Sequence, residues 1–317
     1  MDDLLDDYRA LTTGCALFDR SSSVDRLEVL GADRQRFLNA YVTCDVKPLA
    51  AGDGAYGFLT SAQGRILSDL AVLVHPDRLW LEAGSGQEEA VADHLRKYVI
   101  VDRVEIRPLG DMTPLTLIGP RAAEILGSPL DGEWKHARAM VDGTEVTLQR
   151  TGRLGAPAFT LWVSASIAPH LEAGLLARDG VRQIGPEALE VLRVEAGIPR
   201  FGQDFGPDNF PQETGDESAV SYTKGCYLGQ EVVARIHYRG GVQKALRRLV
   251  FEGPAKPGSG LLFEGREVGT ATSVVRSLAA EGEGRTIGLG IIHKRGAEPG
   301  TRLEVAEGGT AVVAAIP

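Results

Sequence analysis

Cysteine is scarce in this chain of 317 residues, with only Cys15, Cys44 and Cys226. An odd count at wide spacing is no disulfide framework, and no Cys-x-x-Cys occurs. The six histidines are scattered. No self-contained zinc or iron–sulfur site is expected, which leaves room only for a cluster shared with a partner. Long apolar runs are missing too. No stretch approaches the ~20 residues that a bilayer span needs. Positive charge is in deficit, and the formal net charge of −9 argues against general affinity for nucleic acid or an anionic membrane. The opening Met1-Asp2-Asp3-Leu4-Leu5-Asp6-Asp7 has no basic segment ahead of an apolar one, so a secretory signal is not expected and a cytoplasmic location is. What remains is 43% hydrophobic and 24% charged, the composition of a globular protein of more than one domain.

Local patterns give the elements. Residues 24–30 alternate as a strand, and Asp33 is a candidate N-cap for a helix running to Tyr41. Residues 54–83 read as a meander of strands, 56–60, 65–74 and 79–83, with turns at Ser61-Ala62-Gln63-Gly64 and His75-Pro76-Asp77-Arg78. Ala83-Gly84-Ser85-Gly86 before a helix invites a nucleotide reading. Glu89 stands where a third glycine belongs, and Glu88 and Glu89 would repel a phosphate, so none is expected. Strands and helices mixed in no strict alternation indicate α+β. Residues 186–196 form the clearest helix, opened by Gly185-Pro186 and closed by Gly197. Glu195 lies in its last turn, where the dipole disfavours an anion by ~0.3–1 kcal/mol. It either pairs with Arg193 or Arg200 or accepts N–H donors from a ligand. Residues 198–215 form a long irregular loop whose Phe201, Phe205 and Phe210 argue for order. After Gly241, short strands between Gly, Pro and Glu turns fit a small antiparallel barrel or sandwich, with a boundary near 240–245.

The chemistry concentrates in residues 221–240, which hold Lys224, Cys226, Tyr227, Gln230, Glu231, Arg235, His237 and Arg239. A helix beginning near Gly229 would set Cys226 and Lys224 just ahead of its N-terminus. Free amide groups and a nearby ammonium would favour a thiolate there. The plain structural alternative is a buried inert thiol beside an ordinary Glu231–Arg235 surface pair.

Lys224-Gly225-Cys226-Tyr227-Leu228-Gly229-Gln230-Glu231 resembles the signature of the folate-binding YgfZ family, relatives of the glycine cleavage T-protein, an aminomethyltransferase. The resemblance extends through Gly31 to Asp33, Arg36-Phe37-Leu38, Gly64-Arg65-Ile66-Leu67-Ser68-Asp69, Arg193-Val194-Glu195-Ala196-Gly197, Pro199-Arg200 and Pro211-Gln212-Glu213. It implies a three-domain α+β ring around a channel. Two interleaved α+β domains would occupy residues 1–240, split as 1–50 plus 145–240 and 51–144, with a β-barrel in 241–317. It also implies tetrahydrofolate as the ligand, with Glu195 holding the pterin and Asp69, Arg200, Tyr227, Gln230, Glu231 and Arg235 contributing to its site. The catalytic aspartate of the aminomethyltransferases corresponds to Ser68, so classical aminomethyl transfer is not expected. The family instead implies support for assembly or repair of iron–sulfur clusters in client enzymes, with Cys226 as the reactive group and Lys224 as its activator. A folate-dependent one-carbon transferase or demethylase, and a scaffold with a vestigial folate site, are the competing readings.

Overall fold

Apolar residues recur at a period of two through most strands, and what covers each face decides where the chain goes. The computed structural model describes residues 2–279 and 284–316. The chain opens with α1 (Asp2–Thr13), β1 (Cys15–Asp19), β2 (Val24–Leu30) and α2 (Arg34–Asn39). The meander β3 (Gly54–Thr60), β4 (Ile66–Val74) and β5 (Arg78–Gly84) leads to α3 (Glu88–Arg96) and β6 (Glu105–Pro108). Next come β7 (Met112–Ile118), α4 (Ala122–Leu126), β8 (His136–Val141), β9 (Thr144–Thr151), β10 (Ala158–Ser164), α5 (Ala168–Leu176) and β11 (Val181–Gln183). The helix α6 (Pro186–Glu195) precedes the long loop and α7 (Gln230–Arg235). Six strands finish the chain: β12 (Lys244–Glu252), β13 (Gly260–Phe263), β14 (Arg266–Arg276), β15 (Thr286–His293), β16 (Arg302–Val305) and β17 (Thr310–Ala314).

The strands make a five-stranded sheet β3-β4-β5-β2-β6, a six-stranded sheet β11-β1-β7-β10-β9-β8 and a closed barrel β12-β15-β14-β13-β16-β17. Among the strands of the described residues, β1 and β11 are the one parallel pair. The fold is therefore α+β with a C-terminal antiparallel barrel. One α+β unit is inserted in the other, and in the strand order the crossings fall earlier than the expected 50 and 145. β2 joins the meander sheet, while β7 and β8 join the other. Alternation within a strand says which face is apolar but not which sheet will cover it.

Each sheet buries one face under helices. In the first, Leu70, Val72, Leu79 and Leu81 pack with Phe37, Leu38, Val91 and Leu95 of α2 and α3. In the second, Leu17, Leu117, Phe159 and Leu161 pack with Ala122 of α4 and Leu171 and Leu175 of α5. Burying such a side chain contributes about 1.5–3 kcal/mol. The opposite faces are more polar. Thr160 shares hydrogen bonds with Thr116 at 2.9 Å and Thr151 at 2.6 Å. Arg20, from the turn between β1 and β2, forms a buried ion pair with Glu82 of β5. No helix among the described residues is long and apolar enough to cross a membrane.

Arg193 of α6 joins the barrel to the rest. Its Nη1 donates to Asp204 Oδ2 and the Ile198 carbonyl, both at 2.7 Å. Its Nη2 donates to Ser273 Oγ of β14 at 2.7 Å, and its Nε to Glu190 at 3.0 Å. Asp204 Oδ1 accepts from Thr272 and Ser273, both at 2.6 Å. Removing one partner of such a pair leaves the other charge buried alone. Asp204→Ala should therefore lower the unfolding free energy by about 3–5 kcal/mol. Arg193→Met together with Asp204→Ala should lose less than the sum of the single variants. Urea unfolding of the four proteins measures this, and additive losses would show that the two side chains act independently.

Candidate functional site

Between the more polar faces of the two sheets, the second of which also packs on α1 and α6 through Ala16, Phe18, Ile118 and Ala158, lies a cavity of about 880 Å³ closed by the long loop. Strand alternation decides what β4 sends into it. Ser68 shares the helix-covered face with Leu70 and Val72 and is fully buried, its hydroxyl on the Asp69 carbonyl at 3.1 Å. Asp69 takes the opposite face and lines the cavity. The serine at position 68 therefore takes no acid away from this cavity. On this backbone the side chain at 68 points elsewhere, and the acid present is Asp69. Ser68, the position that bore on the expectation about aminomethyl transfer, is thus not part of this cavity, whereas Asp69 is.

Tyr56 of β3 donates to Asp69 Oδ2 at 2.8 Å. Burial pushes the Asp69 carboxyl above its ordinary value, while the Tyr56 hydroxyl and the Arg153 guanidinium pull it back. Arg153 lies over the Tyr56 ring at 4.3 Å and pairs with Asp216. The Trp134 ring stacks with that of Tyr56, 5.8 Å between centroids and tilted by 13°. Trp134 and Arg153 both hold left-handed backbone, with φ of 64° and 63°. Strain of this kind, of order 1–3 kcal/mol per residue, persists where surrounding contacts over-determine the chain. Tyr56 and Trp134 also line a second cavity of about 410 Å³ with Cys44, Asp45 and Ser221, and so stand between the two.

Glu82 of β5 is directly opposite Ala71 of β4 and lines the same wall as Asp69. Its Oε1 accepts from Arg20. Its Oε2 is shielded from solvent and receives no hydrogen bond among the described residues. Arg200 stands at the cavity edge, more than half exposed, with Nη2 at 3.0 Å from Glu190. The loop also supplies Pro199, Phe201 and Gln203 to the wall. The Gly84-Ser85-Gly86 turn reaches the rim, but the first amides of α3 are taken, with Gln87 and Glu88 N–H on Asp25 Oδ2 at 2.6 and 2.8 Å.

Of the residues expected to form the site, the structure brings Asp69 and Arg200 to the cavity. Glu195 is elsewhere and saturated. Its Oε1 accepts from Ser277 Oγ at 2.7 Å and from the Leu278 and Ala279 amides at 2.9 and 3.1 Å, and its Oε2 from Tyr8. The anion at the end of α6 is compensated by donors of the protein itself, so it has no vacancy for a ligand.

The cysteine motif is chiefly a clamp. Lys224 does not attend Cys226. Its Nζ is buried and donates to the carbonyls of Asn39, Val42 and Cys44 at 2.7, 2.7 and 2.6 Å. Leu228 donates to the Ala40 carbonyl at 2.9 Å and accepts from Thr60 at 2.6 Å. Gly229 has φ 84°, and a Cβ there would stand 2.3 Å from the Ser61 carbonyl, so the β3–β4 turn packs against bare backbone. Gln230 accepts from the Tyr227 amide at 3.3 Å. Tyr227 is buried against Lys224 and does not line the cavity. Glu231 and Arg235 are exposed and form no ion pair with each other. The helix they belong to begins at Gln230 and runs on from Arg235 into a π-helical turn over Ile236–Gly240. Cys226 is exposed, unlike Cys15 and Cys44, so it is no buried apolar thiol.

Arg20, Tyr56, Glu82, Trp134 and Arg153 escaped the sequence reading. One signal was available for Glu82: a lone acid inside the apolar run Leu79-Trp80-Leu81-Glu82-Ala83 has to meet a donor on its face of the sheet.

Comparison with known proteins agrees with the fold. The family model for the GCVT N-terminal domain matches residues 1–224. The chain is 28% identical over 316 residues to a putative chloroplastic transferase of Arabidopsis thaliana, covering 97% of this chain and 72% of that one. It is 28% identical over 313 residues to an aminomethyltransferase of Bacillus mycoides, covering 95% and 84%. The crystal structure of the glycine cleavage system aminomethyltransferase T from Bartonella henselae superposes with a TM-score of 0.86 at 22% identity, covering 98% of this chain and 88% of that one. At that identity the likeness concerns the fold.

The role of Lys224 can be tested through its titration. Burial lowers its amine from 10.5 to about 8. Across that interval the unfolded chain binds the proton that the folded chain has released, so rising pH favours the folded state. Relative to Lys224→Met, the wild type should gain stability between about pH 8 and pH 10. Urea midpoints at several pH values would show the rise, and a flat difference would mean that the amine keeps its ordinary affinity.

Proposed function

The chain belongs to the GCVT N-terminal domain family, and from that premise we propose that it is a tetrahydrofolate-dependent one-carbon transferase working in the large cavity. The aminomethyltransferases among its relatives supply the reaction class. The observation that carries the reading is Asp69, an acid on the cavity wall with its proton affinity raised by burial and its orientation fixed by Tyr56. Such a group exchanges protons nearer to neutrality than an exposed carboxylate does.

The cavity suits a reduced folate in size and chemistry. About 880 Å³ lies within the usual range for ligands of that bulk. Phe18, Tyr56, Trp134 and Phe201 offer apolar and aromatic wall for a fused ring, and Arg200 and Arg276 offer positive charge to an acidic tail. Tetrahydrofolate, when bound, would supply the two nitrogens, one in the ring and one in its side arm, that take up the one-carbon unit and give up their protons. Asp69 would hold a proton on its carboxyl and pass it to the amine leaving group of the donor. Tyr56 would keep the carboxyl oriented. Arg153, over the Tyr56 ring, would limit how far burial raises the acid's affinity for its proton.

A second reading, support of iron–sulfur cluster assembly or repair in client proteins, rests on the exposure of Cys226 alone. Lys224 is no activator in that reading, because its ammonium is engaged with three carbonyls. Replacing Cys226 by Ala in cells and assaying iron–sulfur enzymes separates the two. Normal activity would remove the thiol from any such role.

For the first reading, anaerobic calorimetry should show saturable tetrahydrofolate binding by the wild type and by Asp69→Asn. Formation of methylene-tetrahydrofolate from an aminomethyl donor should fall by about 10²–10⁴ in Asp69→Asn. Absence of binding by the wild type would sink the folate reading. Binding with an unchanged rate would remove Asp69 from the proton transfer.

A further inference from the structure

We infer that Glu82 is the ligand-recognising carboxylate of the cavity, accepting N–H groups from the 2-amino-4-oxo edge of a bound heterocycle. The inference rests on the folate reading only in naming the pterin as that heterocycle. It deepens that reading, because it assigns ring recognition to a residue outside the cysteine motif and away from α6.

The argument is one of accounting for donors and acceptors. An ionised carboxylate accepts at two oxygens and about four lone-pair sites. Glu82 is 8% exposed, and the guanidinium of Arg20, equally buried, meets only Oε1. Oε2 has no donor among the described residues, though the side chain lies on the cavity wall. Leaving a buried charged acceptor unpaired is costly, and the interior elsewhere avoids it. Glu195 and Asp204 have both oxygens occupied. Glu190, also at the cavity, accepts from Arg193 and Gln203. Asp69 has Tyr56. Among these carboxylates of the described residues, Glu82 alone has an oxygen that is shielded from solvent and still receives no donor.

The geometry states what the guest must bring. Arg20 already balances the negative charge of Glu82, so a cation is not required. Oε2, together with the remaining lone pair on Oε1, suits two adjacent N–H donors on a flat ring, which one carboxylate can accept side by side. A pterin carries that pair at its ring N–H and exocyclic amine, and so does guanine. A ring with a second carbonyl in place of the amine presents an acceptor to an acceptor and should be rejected. Asp69 is two residues from Ala71, the direct partner of Glu82, on the same face. Diagonal neighbours of this kind lie ~7–8 Å apart, about the span of a bicyclic ring. One carboxylate would then fix the ring while the other exchanges protons beside it.

The test is a calorimetric comparison of tetrahydrofolate, tetrahydropterin, tetrahydrolumazine and guanosine, binding to the wild type and to Glu82→Gln under anaerobic conditions. The wild type should favour tetrahydropterin over tetrahydrolumazine by at least about tenfold, and Glu82→Gln should lose about 10–100-fold in affinity for the pterin and most of that preference. Should Glu82→Gln fold poorly with Arg20 left unpaired, the double variant Arg20→Gln with Glu82→Gln removes both charges and should show the same loss. Binding of tetrahydrofolate and tetrahydropterin by the wild type with no change in either variant would overturn the role of Glu82 and leave the folate reading standing. Binding of guanosine alone, lost on substitution, would uphold Glu82 and overturn the folate reading. No binding of any probe by the wild type would overturn both.

Discussion

The buried pair of Arg193 and Asp204 is the constraint on which the rest of the molecule depends. Two charges removed from water carry a desolvation cost of several kcal/mol each. That cost is met by complete pairing. Every N–H of the Arg193 guanidinium has an acceptor, and both oxygens of Asp204 have donors from α6, from the loop and from β14. A single polar knot thus fixes the helix, the barrel and the start of the irregular loop. The loop can then carry Pro199, Arg200, Phe201 and Gln203 along the cavity without secondary structure of its own. Apolar packing alone would tolerate a sliding barrel, whereas a forked hydrogen-bonding group does not.

The protein uses its carboxylates in distinct ways, and neighbours set the difference. Glu195 is consumed by tertiary contacts between α1, α6 and the chain after β14. Asp69 is held at the cavity wall, where burial raises its affinity for a proton and the Tyr56 phenol partly offsets the rise. Glu82 is given one guanidinium and otherwise left open. Acids whose surroundings push them toward different tasks are the usual sign of a site that does chemistry.

Much of the fold was legible in the sequence. Alternation gave the meander, Gly185-Pro186 and Gly197 bracketed α6, and turn spacing gave the barrel. These are local signals, written in residues a few positions apart. Sheet membership was not legible, because β2 and β7 show the same alternation whichever sheet covers them. At the site, Asp69 was named but its companion Ser68 drew the argument, since matched positions say nothing about which face is the cavity. The cysteine motif drew attention by its unusual residues. Much of that composition serves a tight junction, with a lysine in a carbonyl cradle and a glycine flush against a turn. Glu195 stood out as an anion at the wrong end of a helix, and the donors that resolve it come from residues more than eighty positions away.

The interleaving of the sheets also governs how the chain is made. β1 is hydrogen-bonded on one side by β7 and on the other by β11, whose first residue, Val181, pairs with Cys15. A ribosome adding ~5–20 residues per second needs on the order of ten to thirty seconds to pass from one to the other. During that interval Cys15-Ala16-Leu17-Phe18, buried in the finished protein, has only part of its sheet available. The amino-terminal half therefore cannot mature as an independent unit during synthesis. Completion waits on a strand three residues long, and a nascent chain stalled before it would be left with an open edge that other strands can join.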